Sequence, residues 1–114
     1  MTDPRLLLHE AHRAGMEAGL RAMPTPMLVT NDRTSQRWVV EDGACGFAWV
    51  TIKGNGPLAK AAKAHGWQKG YPKGLTHWVH EFNQSLTRKE AYAHAFAKVL
   101  RDAGYEAWPG SRMD

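Results

Sequence analysis

RWVVEDGACGFAWVTIK, residues 37–53, decides the fold, because two β-rich runs flank an Asp-Gly pair. Asp42-Gly43 is the kind of dipeptide that best supplies the positive backbone angles of a two-residue hairpin turn. Read as that turn, it pairs Glu41 with Ala44, Val40 with Cys45 and Trp38 with Phe47. Side chains alternate along each strand, so Trp38, Val40, Cys45, Phe47 and Trp49 share one face, the expected centre of the core. Val39, Gly46, Ala48, Val50 and Ile52 share the other, small enough to lie under a helix or against a second copy of the chain.

Upstream, Asp3 reads as an N-cap and Pro4 as a first helical residue, opening a helix that runs to about Ala22 and is stopped by Pro24 and Pro26. Its inner stripe is small: Leu8, Ala11, Gly15, Ala18 and Ala22. Residues 27–30 form a short strand and 31–36 a polar loop. Downstream, Gly54-Asn55-Gly56-Pro57 ends the second hairpin strand and opens a short helix that Gly66 terminates. Residues 67–74 mix Gly, Lys and aromatic residues as a loop, and 75–82 form a third strand. Thr87-Arg88-Lys89-Glu90 is a capping box. It begins a helix whose apolar stripe is Ala91, Tyr92, Ala95, Phe96, Val99, Leu100 and Ala103, ending at Gly104. The tail from Tyr105 adds a short extended segment, since Trp108 is costly to leave in water.

This order describes an α+β domain: a small antiparallel or mixed sheet of three to four strands, with two long helices and one short helix packed mainly on one face. With 114 residues at 43% hydrophobic, the chain has the size and apolar mass of one domain spanning residues 1–114. No signal peptide, membrane span or lipid anchor is expected, because Leu6, Leu7 and Leu8 run straight into His9 and Glu10. One cysteine, Cys45, excludes an intrachain disulfide and a cysteine-based zinc site within one chain, so a reducing cytoplasm is the expected compartment. Its place in the hairpin assigns Cys45 to the core as a small hydrophobe, not to catalysis.

The net charge of +4 is unevenly spread. Residues 43–80 hold no Asp or Glu, yet carry Lys53, Lys60, Lys63, Lys69 and Lys73 beside His65, His77 and His80. Ammonium groups attract phosphates, and Trp67 and Tyr71, interleaved with them, are of the type that stacks on bases. The candidate nucleic-acid or polyanion surface is therefore Lys53, Asn55, Lys60, Lys63, Trp67, Lys69, Tyr71 and Lys73. Arg88-Lys89-Glu90-Ala91 resembles the start of the last helix of double-stranded RNA-binding domains, which adds Arg88 and Lys89 as implied phosphate contacts. His9 with His12, and His77 with His80, supply too few ligands for a closed metal site, and no carboxylate pair or catalytic constellation emerges from the spacing. No cofactor is expected.

Gly-Ala-Cys-Gly-Phe-Ala-Trp-Val at 43–50, Phe82 to Ser85 with residues 88–97, and the ending Gly110-Ser111-Arg112-Met113-Asp114 resemble a family of small uncharacterised proteins encoded by tailed bacteriophages. The resemblance implies a phage origin, with the host-cell cytoplasm as the compartment, and favours an interaction role over a metabolic one. Two partner classes stay open, nucleic acid and a host or defence protein, with self-association as a homodimer a further reading of the small-residue strand face.

Overall fold

The computed structural model describes residues 3–24, 27–31, 36–40, 43–70 and 73–114, with 27–31 and 36–40 described by their backbone alone. It is an α+β fold in the order α1 (Pro4–Arg21), β1 (Met27–Asn31), β2 (Gln36–Val40), β3 (Gly46–Ile52), α2 (Pro57–Ala64), β4 (Gln68–Lys69), β5 (Leu75–Trp78), α3 (Leu86–Asp102) and β6 (Ala107–Met113). The main sheet is antiparallel, in the order β4-β5-β3-β6. β1 and β2 form a separate antiparallel pair. Among the described residues no helix is long and apolar enough to cross a membrane.

The helices form where local chemistry directs them. The Asp3 carboxylate accepts from the Arg5 amide at 2.9 Å, with Pro4 in the first turn of α1. Pro57 opens α2, and Gly66 takes a positive φ of 90° just after it. The cap of α3 differs from the expected box: Ser85, not Thr87, stands at the N-cap, and its hydroxyl accepts from the Arg88 amide at 3.4 Å. Glu90 instead accepts from the Ser111 hydroxyl at 3.0 Å, tying α3 to β6.

The hairpin expectation is overturned. β2 pairs with β1, Val40 facing Met27, while both edges of β3 are taken by β5 and β6. All seven residues of β3 find partners on β6 and four find partners on β5, so β3 has no edge free for β2. Gly43 keeps the positive φ of a turn residue, at 73°; Glu41 and Asp42 lie outside the described residues. The tail is therefore a full seven-residue strand, and the third strand is shorter than expected, ending at Trp78.

The inward face is also inverted. Ala48, Val50 and Ile52 are fully buried, while Phe47, Trp49 and Thr51 lie half-buried on the opposite face. Cys45 is exposed, at an isolated bridge to Ser85. α3 packs on β3 and β6, and α1 packs on α3. The core joins Ala48, Val50 and Ile52 to Tyr92, Phe96 and Leu100 of α3 and Leu7, Leu8 and Ala11 of α1. The buried face of α3 is Tyr92, Ala93, Phe96, Ala97 and Leu100, shifted by part of a turn from the expected stripe, and Gly19 replaces Ala18 and Ala22 on α1.

Candidate nucleic-acid interface

Residues opposed across antiparallel strands point to the same side of a sheet. Phe47 opposes Arg112, Trp49 opposes both Gly110 and Trp78, and Thr51 opposes both Trp108 and Thr76. The side turned away from the helices therefore carries Phe47, Trp49, Trp78 and Trp108 together with Arg112. Trp49 and Trp78 lie tilted at 4.9 Å between ring centroids, and Phe47 meets Trp78 edge-on at 6.3 Å. Gly110 leaves the space that the Trp49 indole fills, so that ring spreads over β6. Trp78 and Trp108 are 37% and 49% exposed, leaving large aromatic faces in water.

Cations border this row at both ends. The Arg112 guanidinium sits 5.3 Å from the Phe47 ring centre. At the other end Lys53, Asn55 and Lys73 line a hollow of about 410 Å³ with Trp108 and Glu106. Trp108 thus belongs to both the aromatic face and the cationic hollow. Among the described residues neither Lys53 nor Lys73 is ion-paired; the pairs Arg21–Glu17 and Lys98–Asp102 lie on α1 and α3. From Phe47 to Lys53 the strand spans about 20 Å at the usual rise per residue.

Of the residues expected from sequence, Lys53, Asn55 and Lys73 come together in this hollow. Lys60 is exposed on α2 and shares a different hollow with Arg5, and Lys63 and Lys69 are exposed on α2 and β4. Tyr71 lies outside the described residues. The other three serve the fold. Trp67 stacks on His77 at 5.3 Å and leans on Phe96 on the helix side of the sheet. Arg88 donates to the Gly19 and Leu20 carbonyls at 2.8 and 3.0 Å, satisfying acceptors left open at the end of α1. Lys89 is buried, with Nζ 3.4 Å from the Gly46 carbonyl and 5.8 Å from the Phe47 ring centre, so it also reaches the Arg112 end of the aromatic row. Phe47, Trp49, Trp78, Trp108 and Arg112 were not among the expected site residues. For Phe47 and Trp49 the signal was their period-two spacing, expected on the core side of the sheet, whereas Trp78, Trp108 and Arg112 join them only through strand register.

On the helix side, burial pushes the His77 imidazole below its ordinary value of 6.5; the Glu81 carboxylate opposes the shift, and His80 and His12 add to it. The folded chain therefore resists a proton that the unfolded chain accepts. Stability from this source is complete above pH 6.5 and declines as pH falls toward the folded-state value. Thermal unfolding at pH 7.5, 6.5 and 5.5 should show the parent losing more of its midpoint on acidification than His77→Gln. Equal losses would mean that His77 does not carry the effect. Burial likewise raises the Tyr92 phenol above its ordinary value of 10.0, so its contribution declines only as pH rises beyond that value.

Among the described residues, no group of three or more His, Cys, Asp or Glu is placed to hold a metal ion. Comparison with models of known families, with curated proteins and with solved structures gives no match.

Proposed function

We propose that the protein binds single-stranded nucleic acid across the helix-free face of its four-stranded sheet. Trp49, Trp78 and Trp108 stack on bases, while Arg112, Lys53 and Lys73 meet the phosphates. The observation that carries this reading is the row of part-exposed aromatic rings with Arg112 at one end and Lys53 and Lys73 at the other. Every base has a π-face, so such a platform tolerates many sequences, whereas a duplex hides those faces in its own stack.

The test is fluorescence anisotropy with labelled single-stranded oligo(dT) and oligo(U), and with a duplex as control. Both single strands should bind more tightly than the duplex, with affinity falling as salt rises. Trp78→Ala and Trp108→Ala should each weaken binding by roughly 10-fold or more, the scale of one lost base stack. The double charge reversal Lys53→Glu with Lys73→Glu should weaken binding and flatten its salt dependence, while Lys63→Glu, away from the face, should change little. Undetectable single-strand binding at low salt, or indifference to the tryptophan changes, would overturn the reading.

Exposed Trp and Arg are also the residues most enriched at the energetic centres of protein interfaces, which favours a protein partner as the second reading. Retention of a partner that survives nuclease treatment and is lost on Trp78→Ala separates the two.

A further inference from the structure

Residues far apart in sequence close a second cleft, of about 210 Å³, on the helix side of the sheet. His9 and His12 come from α1, His65 from the end of α2, His77 from β5 and Tyr92 from α3, with Trp67 as a wall. His77 opposes the buried Val50, so the cleft opens on the face opposite the tryptophan row. It is independent of the nucleic-acid reading.

Its size and chemistry select a class of occupant. Sites for drug-sized ligands run to roughly 300–1,000 Å³, so this one suits a single ring system. The walls are flat: Trp67 and His77 stack within 21° of parallel, and His9 meets His65 edge-on at 5.8 Å. The polar edge is a 2.6 Å hydrogen bond between His12 Nδ1 and the Tyr92 hydroxyl. With Nδ1 engaged by the buried Tyr92 hydroxyl, His12 keeps Nε2 as donor or acceptor according to its tautomer, and the exposed His9 and His65 add further ring nitrogens, so the lining can answer a ligand edge of mixed polarity. Among the described residues no carboxylate, ammonium or guanidinium lines the cleft, which suits an uncharged ligand.

We infer that this cleft binds one uncharged nitrogen heterocycle of the nucleobase class, its face against the Trp67 and histidine rings and its edge hydrogen-bonded to the exposed His12 imidazole, whose Nδ1 is held by the buried Tyr92 hydroxyl. The test uses the full chain, with adenine and cytosine as probes and indole as a ligand of similar shape without ring acceptors. The readout is the NMR signals of the histidine rings and of the tryptophan indole N–H groups. At least one base should give saturable shifts at His12, His77 and Trp67, and these should persist unchanged in Trp78→Ala. His12→Phe should weaken that binding at least 10-fold. Where His12→Phe fails to fold, His9→Ala, which removes an exposed wall ring, is the second variant and should weaken binding several-fold. The inference is overturned if neither base gives saturable shifts up to its solubility limit, if indole binds as tightly as the better base, or if the folded histidine variant binds like the parent. Trp78→Ala removes the proposed nucleic-acid platform without touching this cleft, so failure of one reading is distinguishable from failure of the other.

Discussion

Tyr92→Ala should lower the free energy of unfolding by about 3–5 kcal/mol, the range for removing a large ring from a packed core. Tyr92 is fully buried and stands where α1, α3 and β5 converge. Its ring lies so close to Gly15 that a Cβ there would come within 2.7 Å, and it neighbours the rings of His12, His77, Phe82 and Phe96. Deleting it opens a cavity that α1 cannot fill, because the helix presents glycine at the point of contact. Tyr92→Phe keeps the ring and removes only the hydroxyl bonded to His12, so its cost should be about 1 kcal/mol. Urea unfolding of the two variants, with unchanged denaturant slopes, separates packing from hydrogen bonding. A loss under about 2 kcal/mol for Tyr92→Ala would show that the helices close over the gap.

Gly74→Ala should cost about 3 kcal/mol, from two sources that act together. Its φ of 88° belongs to the region that a side chain makes strained. The added Cβ would also press on the Ile52 carbonyl, with Thr51 Cγ2 at 3.1 Å. That carbonyl cannot retreat, because Ile52 is held in register between Leu75 and Ala107. Gly104 is the control: its φ is 95°, yet nothing stands within 4 Å of the added carbon, so Gly104→Ala should show the backbone cost alone, about 1 kcal/mol. Because Gly74 follows Lys73 in the cationic hollow, Gly74→Ala should also weaken single-strand binding. Equal destabilisation by the two substitutions would mean that the steric contact with β3 is unimportant.

The candidate interface was legible in part. An acid-free run of lysines shows in any count of charges, and two of its members, Lys53 and Lys73, do converge. Which rings accompany them depended on the side of β3 that faces the helices. Period-two alternation identifies Phe47, Trp49 and Thr51 as one set and Ala48, Val50 and Ile52 as another, but alternation is the same whichever set is buried. Hydrophobic bulk favoured the aromatic set as core. The histidine cleft showed in the sequence only as separate histidines, His9 with His12, His65 and His77, because its members come from four separate elements that the fold brings together.

The α+β class, the three helices and the stops at Gly66 and Gly104 were determined by the sequence alone, because caps, prolines and glycines act on the backbone within a few residues of themselves. Tertiary structure alone decided the partners of β3 and its buried face. A strand's hydrogen-bonding edges accept any extended segment that reaches them, and here the seven-residue tail strand and β5 occupied both. The bulky Tyr92, Phe96 and Leu100 of α3 then pack over Ala48 and Val50, and that fit turned the tryptophans outward.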